Sequence, residues 1–224
     1  MHNVVERLIA IQSEIKELLD NNGVKNTSPE IIIVCKTFSM DRILPLIETG
    51  HVHFGENKVQ EAEIKWKEVK KKYPHVKLHM VGRLQTNKTK IALEIFDYIH
   101  SVDNYKLAEK IVKYEKELNK KTKIFVQVNI GEESQKNGIY PKDTNKFVNY
   151  CRDVLSLKNI VGLMCLPPVN QNPEKFFSHL NKLGKEVNLN DFSMGMSDDY
   201  QHAIKCGSTF LRIGSKIFGK RNTN

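Results

Sequence analysis

Cysteine is scarce in this chain of 224 residues, and its four copies, Cys35, Cys151, Cys165 and Cys206, stand far apart with no C-x-x-C spacing. That distribution argues against a disulfide framework and fits buried free thiols in a reducing compartment, so a cytoplasmic protein is expected. Long apolar runs are also missing. No stretch approaches the ~18 residues that a membrane span requires, and Glu6, Arg7, Glu14 and Lys16 interrupt the amino terminus where a secretory signal would be apolar. Acidic residues are the minority, 26 against 35 basic ones, for a net charge of +9. Such an excess can mark a nucleic-acid binder, but the lysines are spread along expected helix faces, as in Lys65 to Lys72, and no zinc-finger or RNP-like motif accompanies them. The excess therefore reads as a solvated, lysine-rich surface, with neither nucleic acid nor membrane as partner. What remains, 40% hydrophobic and 27% charged residues, is the composition of an ordinary globular protein able to bury a core.

Val4, Leu8, Ile11, Ile15, Leu18 and Leu19 recur at helical steps and predict an opening amphipathic helix that ends near Asn21-Asn22-Gly23. Ile31-Ile32-Ile33-Val34-Cys35 then forms an unbroken, mostly β-branched apolar run, as in a parallel strand covered on both faces. Further strands are predicted at His51–Phe54, Lys77–Val81, Tyr98–Val102, Lys123–Asn129, Ile160–Leu166, Asp191–Met194 and Thr209–Ile213. Helical patterns fall between them at Asp41–Thr49, Asn57–Lys72, Lys88–Phe96, Asn104–Lys120, Lys142–Leu155, Pro173–Val187 and Asp198–Cys206, with a short last segment from Ser215. Eight strands alternating with helices predict an α/β fold, a parallel (β/α)8 TIM barrel with an extra N-terminal helix, built as a single domain over residues 1–224. A doubly wound open sheet is the alternative, but no G-x-G-x-x-G follows an early strand.

In such a barrel the chemistry sits at the carboxyl ends of the strands. The residues collected there are Lys36; Gly55, Glu56 and Asn57; Gly82; Ser101; Asn129; Met164; Gly195, Met196 and Ser197; and Arg212, Gly214 and Ser215. Lys36 follows five apolar residues, where partial desolvation favours the neutral, nucleophilic amine. After the seventh strand Met194-Gly195-Met196-Ser197-Asp198-Asp199 joins a glycine to a helix-capping hydroxyl, and Arg212-Ile213-Gly214-Ser215 repeats the device after the eighth. Turns at these two positions are where barrel enzymes commonly hold a phosphate. A strand-end lysine opposite a phosphate cup suits pyridoxal 5'-phosphate.

Several stretches together closely resemble the YggS/PROSC family of pyridoxal phosphate homeostasis proteins, nearly end to end. They are Val34-Cys35-Lys36-Thr37, Phe54-Gly55-Glu56-Asn57 with Gln60-Glu61, His79-Met80-Val81-Gly82 with Leu84-Gln85 and Asn87-Lys88, Gly162-Leu163-Met164, Ser193 to Asp199, and Leu211 to Ser215 with Ile217-Phe218-Gly219. The resemblance implies the barrel domain of alanine racemase, the fold type III of pyridoxal-phosphate proteins, with the cofactor joined to Lys36. It also implies Ser197, Gly214 and Ser215 on the phosphate, Arg212 near the pyridine nitrogen, and Asn57 and Met196 beside the cofactor. Arg83, where many relatives have proline, and Ser215, where many have threonine, depart from the pattern, and Ser215 preserves the hydroxyl.

An arginine at the pyridine nitrogen can only donate, so the ring is left a poorer electron sink. Racemases similar to this family take a second base from an additional β domain of a partner subunit, and the sequence that follows Phe218-Gly219-Lys220-Arg221 is too short to build one. The expectation is a non-catalytic carrier that holds the cofactor as a Schiff base on Lys36, limits the free aldehyde and acts as a monomer, with pyridoxal-phosphate-dependent enzymes as recipients. A weak amino-acid racemase using a rim Tyr or Cys is the alternative, and a cofactor-free Schiff-base aldolase is a more distant one.

The remaining conspicuous residues have plainer readings. His51 and His53 lack a third ligand at a matching spacing, so no metal is expected. Alternation along the strand turns Cys35 away from Lys36 as an inert thiol. Glu56 and Glu61 read as helix-start charges, and Lys120, Lys121 and Lys123 as a solvated helix end.

Overall fold

In the computed structural model, which describes residues 3–21 and 28–219, eight parallel strands close into a barrel in chain order. The strands are β1 (Glu30–Val34), β2 (His53–Glu56), β3 (Lys77–Met80), β4 (Tyr98–Val102), β5 (Lys123–Val128), β6 (Ile160–Cys165), β7 (Asp191–Met196) and β8 (Phe210–Ile213). The helices are α1 (Asn3–Asn21), α2 (Met40–Glu48), α3 (Val59–Lys72), α4 (Thr89–Ile95), α5 (Tyr105–Leu118), α6 (Pro141–Asn149), α7 (Pro173–Glu186), α8 (Tyr200–Lys205) and α9 (Ser215–Phe218). Among the described residues no helix is long and apolar enough to cross a membrane.

Side chains alternate between two cores because successive residues of a strand point to opposite faces. On β1, Ile31, Ile33 and Cys35 enter the layer between strands and helices, whereas Ile32 joins Tyr98, Phe125, Met164 and Phe210 inside the barrel. The continuous apolar run of β1 is thus the signature of a strand buried on both sides. The extra helix α1 sends Val4, Val5, Leu8, Ile11 and Ile15 into the outer core and packs against α2, α8 and α9.

The (β/α)8 expectation is met, with local differences. The second strand begins two residues later than its predicted start at His51: the His51 N–H donates back to the Leu46 carbonyl of α2 (3.3 Å), and its ring donates from Nε2 to the carbonyls of Ile31 (2.8 Å) and His53 (3.0 Å). The predicted helix Lys142–Leu155 is α6 followed by a π-helical turn, Tyr150–Val154, and the predicted helix at Lys88 begins as a 3-10 turn, Thr86–Lys88. Asn22 and Gly23, expected to end the first helix, lie outside the described residues, as do Lys220 and Arg221.

Candidate functional site

The turn after β1 sets the site. The Phe38 N–H donates to the Cys35 carbonyl (2.9 Å), and Lys36 within that turn has φ 38°, the left-handed region that costs a non-glycine residue ~1 kcal/mol or more. The Lys65 ammonium, carried by α3, donates to the Lys36 carbonyl and braces the turn. Phe38 stacks on Phe218 at 4.4 Å between ring centroids, which ties the β1 turn to α9, the helix that follows the neighbouring strand β8.

Lys36, Asn57, Met196, Ser197, Arg212, Gly214 and Ser215, the residues singled out from sequence, all line one cavity of about 370 Å3 at the carboxyl ends of the strands. Val34, Phe38, Val81, Leu166, Asp198 and Gly219 complete its wall. Apolar side chains on two sides with a few converging polar groups make a cavity suited to a small aromatic ligand.

Its polar end is built by the last two βα turns. The Ser197 hydroxyl accepts from the N–H groups of Gly214 and Lys216, both at 3.4 Å, so hydroxyl and amides converge where α9 begins. Gly195, at φ 90°, makes the turn after β7 possible, since a Cβ there would lie 2.6 Å from the Ala203 Cβ. Asp199 accepts from the Met196 N–H at 2.6 Å and pins the same turn. Gly82 lets β3 run against Asn57, since a Cβ at Gly82 would meet the Asn57 carbonyl oxygen at 2.3 Å.

Arg212 is buried, and its guanidinium has no carboxylate within ion-pair distance among the described residues. Nη1 donates to the Ser193 carbonyl (2.5 Å) and hydroxyl (2.7 Å), and Nη2 to the Cys165 carbonyl (2.8 Å). These bonds use three of the five N–H donors of the group. Burial pulls its pKa below the usual arginine range, and Cys165 and Asp199 oppose that shift.

Known proteins share this barrel. The family profile for the alanine racemase N-terminal domain matches residues 8–222. Across 98% of its length the chain is 30% identical to the pyridoxal phosphate homeostasis protein of Pasteurella multocida (strain Pm70), of which it covers 98%. The chain belongs to the pyridoxal phosphate homeostasis protein family. The structure of PipY from Synechococcus elongatus PCC7942 with PLP bound matches with a TM-score of 0.81 and 30% identity, over 96% of this chain and 100% of that one. Alanine racemase of Clostridium difficile 630 matches with a TM-score of 0.66 at 12% identity, over 94% of this chain and 57% of that one, and this likeness is one of fold.

Not every rim residue of this family member reaches the cavity. Met164 lies in the barrel core, and the Asn129 amide donates to the Glu133 carbonyl in its own loop (2.8 Å). Glu56 is a correction. It is not a helix-start charge but a fully buried carboxylate at the end of β2, because Trp66 Nε1 and Lys65 Nζ of α3 both donate to its Oε1 at 2.9 Å. Burial pushes its pKa up to about 6. Glu61 does lie in the first turn of α3 and also accepts from Lys65, at 3.1 Å, so Lys65 is not part of a solvated face. Lys120 is likewise no solvated helix end: its ammonium donates to the carbonyls of Leu93, Glu94 and Phe96 at the close of α4. Cys35 is buried toward the helices, and burial raises its thiol well above the usual range.

A row of inward polar side chains that no sequence spacing groups together lies beneath the cavity. His53 Nδ1 lies 2.9 Å from His79 Nε2, His79 Nδ1 lies 2.9 Å from His100 Nε2, and His100 Nδ1 lies 2.8 Å from the Ser193 hydroxyl that Arg212 binds. The available signal was strand parity: His53 shares the inward parity of Asn57, and His79 that of Val81.

Proposed function

We propose that this protein binds pyridoxal 5'-phosphate as a carrier, holding it as a Schiff base on Lys36 and so limiting the free aldehyde. The observation that carries this reading is one cavity lined both by a strand-end amine, Lys36, and by a buried guanidinium, Arg212, that makes no ion pair among the described residues, beside the Ser197, Gly214 and Ser215 turns. The residues fit the group. Two N–H donors of Arg212 beyond those bound to Ser193 and Cys165 suit a ring-nitrogen acceptor, and the converging hydroxyls and amides suit a phosphate. Val34, Val81 and Leu166 supply flat apolar contact for the ring, with Asn57 and Met196 beside it. The bound structure of PipY and the name of the Pasteurella relative support the assignment.

When bound, the group supplies an aldehyde carbon and an electron-withdrawing ring. Lys36 would contribute the amine that holds this aldehyde, and only its unprotonated form is nucleophilic. Arg212 keeps its proton at any working pH, so it would hold a ring nitrogen by donating to it and would leave that nitrogen unprotonated. Amino-acid chemistry would need a second proton carrier opposite Lys36. Among the described lining residues there is no Tyr, Cys or His, and Asp198 is the one carboxylate. On this reading the protein stores and delivers the group without racemising amino acids, pyridoxal-phosphate-dependent enzymes of the cytoplasm are its recipients, and a monomer is the working unit.

Borohydride reduction of the protein incubated with pyridoxal 5'-phosphate, followed by intact-mass measurement, tests the anchor. A phosphopyridoxyl adduct is expected in the wild type and none in Lys36→Ala. An unmodified wild type would overturn the reading. Incubation with single-enantiomer amino acids in deuterated water tests the role, and turnover-rate deuterium at Cα would make the protein a racemase instead.

A further inference from the structure

The Ser193 hydroxyl sits between two side chains among the described residues, the Arg212 guanidinium at 2.7 Å and His100 Nδ1 at 2.8 Å. Arginine can only donate, so Ser193 accepts from Arg212, and its own proton has one available acceptor, the Nδ1 lone pair of His100. The consequence passes along the row. His100 must carry its proton on Nε2 and give it to His79 Nδ1, 2.9 Å away. His79 must then carry its proton on Nε2 and give it to His53 Nδ1, again 2.9 Å away. The Nε2 proton of His53 faces the Glu30 carboxylate at 3.7 Å, at the opposite mouth of the barrel, where both residues border a second cavity of about 520 Å3.

The reverse polarity fails at one atom. If His100 donated from Nδ1, Ser193 would receive two donors and its own proton would be buried without an acceptor, which costs ~1–3 kcal/mol. Neutral rings are also what the surroundings allow. His79, His100 and Ser193 are fully buried, and burial holds both rings well below the usual imidazole range, with the Arg212 charge adding to the effect at His100. Stacking fixes the ring planes: His79 lies on Tyr98 at 4.2 Å and His100 on Phe125 at 4.3 Å between centroids.

We infer that Ser193, His100, His79 and His53 form a one-way hydrogen-bond chain through the barrel that positions Arg212 at the wall of the cofactor cavity, with His100 as the positioning residue that keeps the Ser193 lone pairs turned to the guanidinium. The inference rests on the proposed cofactor reading only for the use of Arg212; the chain itself belongs to the protein without ligand.

Two measurements separate these parts. Two-bond 1H–15N correlation spectra of the ligand-free protein at neutral pH read the tautomers directly. The expected result is His53, His79 and His100 all neutral and all protonated on Nε2, and a proton on Nδ1 of His100, or a charged ring, would overturn the chain. The second is a cycle of His100→Phe, Ser193→Ala and the double variant, read by pyridoxal 5'-phosphate affinity and by the absorption maximum of the bound form. His100→Phe is expected to weaken binding about tenfold and shift the band, as for loss of one hydrogen bond to a charged group. In the Ser193→Ala background the same change should do nothing further, and His100→Asn, with a carbonyl acceptor, should recover part of the loss. Additive effects would overturn the inference. A wild type with the expected tautomers and no affinity for the ligand would instead refute the cofactor reading alone.

Discussion

The Lys65 ammonium lies 2.9 Å from Oε1 of Glu56, a carboxylate with no exposed surface, and the same ammonium holds the carbonyl of Lys36. Burial works against the charge on Lys65, but Glu56 and Glu61 outweigh it and hold its pKa above the ordinary lysine value. For Glu56 burial wins over the bonds from Trp66 and Lys65, and its pKa is about 6. The pair thus couples a buried charge in the outer core to the strained turn that carries Lys36.

Lys65→Met strands Glu56, and breaking a pair of this kind costs about 3 kcal/mol. The cost should depend on pH. Glu56 takes up its proton at about pH 6 in the native state and at about 4.5 when unfolded, so its contribution to stability grows as pH falls through that window. Without Lys65 the carboxylate is costlier still and protonates at higher pH, so the deficit of the variant should shrink from pH 8 to pH 5. Urea unfolding of both proteins at the two pH values checks this. An equal deficit at both would mean that Lys65 acts through its bond to the Lys36 carbonyl and not through Glu56.

Gly82→Ala tests the placement of Asn57. A Cβ there would lie 2.3 Å from the Asn57 carbonyl oxygen and 2.7 Å from its Cα, and backbone atoms cannot rotate away as a flexible side chain would. Overpacking of this kind costs roughly 1–3 kcal/mol. Because Asn57 lines the cavity, pyridoxal 5'-phosphate affinity should fall with stability, whereas Ala at the surface position Gly50, whose Cβ would meet nothing within 4 Å, should lower stability through its φ of 85° and leave affinity unchanged. Thermal melts and ligand titrations of both variants separate these effects.

The barrel and its rim were legible because each depends on local pattern. The run Ile31 to Cys35 announced a strand buried on both faces, and the glycine and hydroxyl after the seventh and eighth strands announced the turns that the cavity uses. The interior polar contacts were not legible. Glu56 stands three residues before the start of α3 in sequence, and only the packing of Trp66 over β2 shows that it is buried. His53, His79 and His100 are 26 and 21 residues apart, so no spacing rule joins them, and it is closure of the barrel that brings β7 and its Ser193 to His100.

The extra helix α1 is bonded to α8 and α9, the helices that follow the two turns of the site. The Tyr200 hydroxyl of α8 donates to the Glu14 carboxylate of α1, while Arg7 of α1 donates to the Ile217 carbonyl of α9 at 3.3 Å. The Tyr200 bond holds the Glu14 carboxyl below its usual pKa. Tyr200→Phe should therefore cost about 1 kcal/mol, the net worth of one hydrogen bond, and raise the Glu14 pKa. Chemical denaturation measures the first effect and carboxyl 13C titration the second. An unchanged Glu14 titration would show that the tyrosine contributes packing alone.

Acid should weaken the fold through the histidine row. Burial lowers the His53 pKa to about 4, Lys123 and Lys77 add to the shift, and Asp97 opposes it. The unfolded chain protonates this ring near pH 6.5 and the native state only near 4, so the unfolded state binds more protons between those values and stability falls as pH drops through the window. Allowing for its partial exposure, His53 should account for about 2 kcal/mol of that loss. His79 and His100, fully buried, resist protonation further and extend the loss to lower pH. His53→Gln removes one titrating ring while its amide can still meet His79. Urea unfolding at pH 7, 6, 5 and 4.5 should give a shallower decline for this variant than for the wild type. Identical slopes would mean that His53 is solvated enough to protonate in the native barrel, and the polar row would then end at His79.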